Sequence, residues 1–175
     1  SSLFGLTARD TPHKTALQTV LALNGHEKSP FYKRIKLYGG NYEKNQSPPL
    51  TQATMVSSII KQICENLREA ENDRYKDRYE LKNRTSGSIK PLLFRPWYAS
   101  DRDDVISDYF FYFFNEISKH FVDSNKVSYW EIRHDNKNIL HSTVGYLALY
   151  QIMLEIINKE NINDTNMQDV FSDKI

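Results

Sequence analysis

A single cysteine, Cys64, in 175 residues rules out an internal disulfide framework and any zinc or iron–sulfur site built from several thiolates. A reducing, cytoplasmic setting is the expectation that follows. No apolar run approaches the roughly 18 residues that a membrane span needs. The mean hydropathy of −0.62 predicts a soluble chain with no membrane contact. Neither sign of charge dominates: 23 Lys and Arg stand against 22 Asp and Glu. Binding driven by bulk positive charge and an acidic disordered tail are therefore both excluded. G-x-S-x-G, Walker A and G-x-G-x-x-G strings are missing, so hydrolase-elbow, P-loop and Rossmann readings fail. His13, His26, His120, His134 and His141 form no H-x-x-x-H or H-E-x-x-H pair. No metal and no cofactor is expected. The opening Ser1-Ser2-Leu3-Phe4 has no initiator Met and no signal-like core, as a piece of a longer protein would.

What the chain does have is aromatic residues, 13% of the total, and apolar residues at helical spacing. Thr11 and Pro12 read as the cap and first residue of a helix carrying Ala16, Leu17, Val20, Leu21 and Leu23, closed by a left-handed Gly25. Arg34 to Tyr38 alternate in a way that predicts a short strand ended by Gly39-Gly40, and 41–50 reads as loop. Thr51 then caps a long helix with Met55, Val56, Ile59, Ile60, Ile63 and Leu67 on its apolar face. The mixed-charge run from Arg68 to Arg84 predicts a solvated helix held by i, i+4 pairs. Thr85-Ser86-Gly87-Ser88 marks a hinge at 85–90.

Ser100 with Asp103 approximates a capping box that opens a helix over Val105 to Phe121. This helix is apolar nearly all round, which predicts a central element with Phe110, Phe113 and Phe114 buried. A final long helix starts near Asn138 or Ser142 and runs through Ile157. The sum is a mainly α fold: a bundle of about four principal helices, with one or two short strands near Ile35 and Val127–Ile132. Residues 1–160 form one helical domain, and 161–175 a polar C-terminal tail with at most a short turn over Met167 to Phe171.

Several groups invite a chemical reading. Asp77 with Glu80 and Lys82, or Asp123 with Glu131 and Arg133, supply the carboxylates and cation that a metal-dependent nuclease needs, but such charge runs are ordinarily solvated faces. Arg and Tyr between 68 and 84 have the side chains for nucleic-acid contact but carry nearly as many acids. Lys33, Arg34 and Lys36 have no acid between them and are the better anion contact. On a strand, Arg34 and Lys36 would share one side and Lys33 the other. Weak, salt-sensitive DNA binding is the most they could give. Cys64 has no neighbouring His or cation in sequence and reads as a small buried hydrophobe.

Five strings in order carry a resemblance: Arg9–Ala16 with Pro12, Leu23-Asn24-Gly25, Ser29-Pro30-Phe31-Tyr32 running on to Lys36, Leu50-Thr51-Gln52-Ala53-Thr54-Met55-Val56, and Thr143-Val144-Gly145-Tyr146-Leu147-Ala148-Leu149. Together they resemble the C-terminal half of bacterial DGQHR-domain proteins, a group that includes the DndB-type proteins of DNA phosphorothioation clusters. The D-G-Q-H-R string itself, upstream in such proteins, is absent here, so no residue of that site carries over. The resemblance implies a helical companion to an upstream DGQHR catalytic half in a prokaryotic DNA-modification or defence context. The matching Ser29, Pro30, Thr51 and Gly145 also have ordinary turn and capping uses. Two other readings remain open: a self-standing protein-interaction or homo-oligomerisation module, and a nuclease or nucleotide-hydrolysing enzyme.

Overall fold

The computed structural model describes residues 11–43, 46–81, 91–131 and 138–175. The fold is mainly helical, with four longer helices: α1 (Pro12–Gly25), α2 (Gln52–Ile63), α5 (Asp103–His120) and α6 (Thr143–Glu160). Shorter ones are α3 (Leu67–Asp73), α4 (Arg95–Ala99) and α7 (Met167–Lys174), with 3-10 turns at Arg78–Leu81 and Ile139–His141. Two short strands, β1 (Ile35–Lys36) and β2 (Leu50–Thr51), pair in parallel with Ile35 opposite Leu50. No helix among the described residues is long and apolar enough to cross a membrane.

Helix α5 is the axis of the core. Val105, Ile106, Phe110, Phe113 and Phe114 are fully enclosed, as its near-continuous apolar surface predicts. Helices α1, α4 and α7 pack on it. Its rings continue into the neighbours: Phe110 stacks on Tyr150 of α6 at 5.8 Å, and Phe113 meets Phe171 of α7 edge-on at 5.4 Å. Such pairs add directional preference to area burial, so the ring geometry also sets the angles between helices.

Caps explain most boundaries. Thr11 accepts from the Lys14 amide and Pro12 occupies the first turn of α1, as the sequence predicts. The end of α1 differs: Gly25 is its last helical residue and His26 leaves in an extended conformation, so no left-handed glycine is used. The left-handed stop appears instead at Asn161, after α6. Ser142 caps α6 through the Gly145 amide, while Asn138 caps the separate 3-10 turn before it.

The region after Ile63 departs most from expectation. Helix α2 stops there because Asn66 caps a new helix, accepting from the Glu69 amide, while Glu69 accepts from the Glu65 amide. Leu67 therefore leaves the apolar stripe of α2 and is 74% exposed. The mixed-charge stretch is not one solvated helix. As far as Leu81, where the described residues stop, it folds as α3 and a 3-10 turn, and it sends Asp73 and Arg78 inward to meet arginine and carboxylate partners from elsewhere in the chain. The Ser100–Asp103 capping box does not form: Ser100 ends α4, and Asp103 begins α5 with its carboxylate turned to Arg78.

Three smaller corrections concern extended structure and the C-terminus. The strand near Ile35 is two residues long, and its partner lies in the stretch read as loop. In the stretch expected as a strand over Val127–Ile132, the described residues, which stop at Glu131, form only an isolated antiparallel bridge between Val122 and Ser128. Residues 161–175 are not a polar tail, because Ile162, Met167 and Phe171 are buried and α7 docks on α5 and α6. The hinge at 85–90 lies outside the described residues.

Candidate functional site

Lys33, Arg34 and Lys36 do not form an acid-free cationic face. Lys33 sits at a left-handed position (φ 54°), its ammonium over the Tyr32 ring at 5.0 Å. Lys36 is exposed. Arg34 turns inward, its side chain only 10% exposed, and pairs with Glu131 at 3.1 Å. Its Nη1 also donates to the Trp130 carbonyl and lies 2.8 Å from His141 Nε2, which is itself 2.6 Å from that carbonyl. One imidazole nitrogen can donate to the carbonyl or accept from the guanidinium, not both. Arg34 thus ties the loop before β1 to the loop carrying Trp130 and to the 3-10 turn before α6. Its acidic partner lies 97 residues away, where local inspection cannot find it.

The positions that carry the sequence resemblance converge on this same corner. Ser29 Oγ accepts from the Phe31 amide, and the Pro30 carbonyl accepts from the Trp130 indole at 2.6 Å. Phe31 is fully buried between Phe114 (4.7 Å) and Trp130 (5.6 Å), with Tyr146 at 6.3 Å. Tyr32 is half-buried under Lys33. Thr51 caps α2 through the Thr54 amide, its hydroxyl also 2.9 Å from that of Thr54, and Gln52 accepts from the Tyr38 amide. Tyr146 bonds Ser58 at 2.7 Å, and burial pushes its hydroxyl well above the usual range. At Gly145 any Cβ would come within 1.9 Å of the Ile139 carbonyl oxygen, so only glycine lets the 3-10 turn lie against α6. Pro12 stands apart, starting α1.

The carboxylates considered for nuclease chemistry have other uses. Glu80 accepts from the Asp77 amide at 3.0 Å, closing the turn that they share. Asp123 accepts from the amides of Asn125 and Val127, and Glu131 pairs with Arg34. Lys82 and Arg133 lie outside the described residues, as does His134. No cluster of three His, Cys, Asp or Glu side chains able to hold a metal occurs among the described residues.

Two ion-pair networks, one buried and one partly buried, join residues too distant in sequence to be paired by local pattern. Arg95, on α4, donates to Asp73 at 2.8 Å and to the Ile63 carbonyl at 2.8 Å, with Glu69 3.5 Å away. Cys64 lies beneath this group and is 1% exposed; burial pushes its thiol up to about 12, with the Asp73 charge adding to the effect. A thiol held protonated in this way is a poor nucleophile. Arg78 grips Asp103 with both terminal nitrogens (2.7 and 2.9 Å), donates to Thr15, and lies over the Tyr98 ring at 4.4 Å. It ties the Arg78–Leu81 turn to α1 and α5, so Arg78 is an internal clamp.

One concavity stands out at the junction of α1, α2 and α3. It encloses about 870 Å³, with Val56, Ile60, Cys64 and Leu67 among its apolar walls and His13, Lys61 and Arg68 also lining it. Its size suits a ligand or a peptide side-chain cluster. Sequence periodicity assigns Leu67 to the α2 core, so this groove is invisible until the Asn66 cap breaks the helix. Comparison with family models, with curated proteins and with solved structures finds no match to this chain.

Proposed function

We propose that this chain is the helical, non-catalytic C-terminal region of a DGQHR-type protein, serving an upstream catalytic half in a prokaryotic DNA-modification or defence setting. The observation that supports this reading is the convergence of the resembling strings. Ser29 to Tyr32, Thr51 to Thr54 and Gly145-Tyr146 are far apart in sequence yet build the same corner of the fold. Here they turn a loop, cap α2 and let α6 approach its neighbour. Residues shared for such reasons mark a common scaffold, and a scaffold of this kind needs no catalytic group of its own.

Two measurements test it. The gene read upstream should run through a D-G-Q-H-R string in the same frame. The isolated chain should neither hydrolyse ATP or GTP nor cut DNA with magnesium or manganese. Turnover that survives repurification and disappears in Glu80→Ala or Glu131→Ala would establish the enzymatic reading instead. A second reading, a self-standing interaction or homo-oligomerisation module, draws on Val144, Leu147 and Ile152, which leave an apolar ridge on the outside of α6. Sedimentation of the wild type against Val144→Glu/Ile152→Glu distinguishes it, because only a dimer built on that ridge changes mass.

A further inference from the structure

We propose that the turn after β1 is a contact for single-stranded nucleic acid, with Tyr38 stacking on a base and Lys36 meeting the adjoining phosphate. Tyr38 is 96% exposed, more than any other large hydrophobic side chain among the described residues. A single exposed ring is ordinary in itself. What sets this one apart is how many groups hold the backbone beneath it.

The Leu37 amide donates to the Tyr42 hydroxyl at 2.7 Å, and that hydroxyl donates to the Ile35 carbonyl at 3.4 Å. The Gly40 amide closes the turn on the Leu37 carbonyl at 3.2 Å. Gly39 is left-handed (φ 75°) at the third position of the turn, which glycine adopts without strain. Any Cβ at Gly40 would come within 2.7 Å of the Tyr42 ring, so this glycine lets the ring lie against the turn. Gln52, at the start of α2, accepts from the Tyr38 amide at 3.1 Å. Two side chains and two glycines thus fix a turn whose tip is an uncovered phenol ring. A ring positioned in advance loses little freedom on binding, which favours contact.

The neighbouring chemistry selects the partner. Burial alternates along this stretch: Ile35 is buried, Lys36 exposed, Leu37 half-buried and Tyr38 exposed. Lys36 and Tyr38 therefore leave on the same side, about 7 Å apart along an extended chain. A cation beside an exposed ring suits a nucleotide, whose base offers a flat face and whose phosphate carries the charge. The acid nearest in sequence, Glu43, accepts from the Gln46 side chain at 2.9 Å. A duplex keeps its base faces stacked against each other, so the ring has nothing to meet there. One cation is also too few to hold a duplex by charge alone. The inference rests on this turn and holds whether or not an upstream catalytic half exists.

The test is a fluorescence-anisotropy titration of the full chain at low salt with three probes: a short labelled oligothymidylate, its abasic counterpart and a duplex of the same length. The oligothymidylate should bind more tightly than the other two. Tyr38→Ala should weaken it about 5- to 150-fold, the range of one base–aromatic stack, while Tyr38→Phe keeps most of the affinity. Lys36→Gln should lower the slope of log affinity against log salt by about 0.7. Both side chains are exposed, so the variants should fold, which circular dichroism and Tm verify. No binding, equal binding of the abasic strand or the duplex, or a Tyr38→Ala variant that binds as the wild type does would each overturn the proposal.

Discussion

The guanidinium of Arg95 and the carboxylate of Asp73 meet at 2.8 Å in a place closed to water, where Asp73 is fully buried and the Arg95 side chain is 6% exposed. Two charges taken out of water are tolerable only together, and removing one strands the other. Nε of Arg95 finds no hydrogen-bond partner in this enclosure, so the pair is already at the limit of what its surroundings satisfy. Asp73→Asn or Arg95→Leu should each cost about 3–5 kcal/mol in denaturant unfolding, and the double apolar replacement should cost less than either single change. A double variant that loses as much as the two single changes together would show that the two groups do not depend on each other.

The thiol of Cys64 shares that enclosure and should make the fold sensitive to alkali. Its folded value of about 12 lies above the ordinary 9.0, so the protein binds the proton more tightly folded than unfolded. The stabilisation is complete below pH 9 and is lost as pH rises towards 12, by up to about 1.4 kcal/mol per pH unit. Tyr98, Tyr109, Tyr146 and Tyr150 are shifted upward by burial and act in the same direction. Urea unfolding at pH 7 and pH 10 should show a smaller loss of stability in Cys64→Ala than in the wild type. At pH 8 the native thiol should react with alkylating reagents only as fast as the protein opens.

Phe113 and Phe171 test whether the C-terminal segment belongs to the core. Their rings meet edge-on at 5.4 Å, and neither is accessible to solvent. Phe113→Ala and Phe171→Ala should each cost about 3–5 kcal/mol. A loss below 1 kcal/mol for Phe171→Ala would return α7 to the status of a tail.

Gly145→Ala adds one methyl group where the Ile139 carbonyl stands 1.9 Å away. Either the 3-10 turn moves off α6 or the helix shifts, and overpacking of this kind costs about 1–3 kcal/mol. Ala148→Gly, on the exposed side of the same helix, should cost only about 1 kcal/mol through helix propensity. Chemical denaturation of the two variants side by side makes the comparison.

Any low-salt DNA binding should respond to Lys33→Glu and Lys36→Glu, which leave the fold intact. Arg34→Glu should instead loosen the Trp130 corner and shift the tryptophan fluorescence, because it places a carboxylate against the Trp130 carbonyl. Anisotropy titrations of duplex DNA at two salt concentrations would separate these effects. A lysine variant that binds as well as the wild type would remove the surface from consideration.

Much of the helical framework is legible in local chemistry. Thr11-Pro12 and Ser142 mark helix starts because a side-chain oxygen or a missing N–H acts within three residues of its own position. The enclosure of Phe110, Phe113 and Phe114 follows from an apolar surface too wide for one neighbour to cover. Tertiary structure alone decided the roles of the charged residues. Arg34 reads as an open cation until Glu131 arrives from 97 residues away, and Asp73 and Arg78 read as solvated until Arg95 and Asp103 meet them. The opened face of Leu67 likewise depends on which of two helices claims it. A charge or an apolar side chain acquires its meaning from what stands opposite, and for these residues the opposite group comes from a distant stretch of chain.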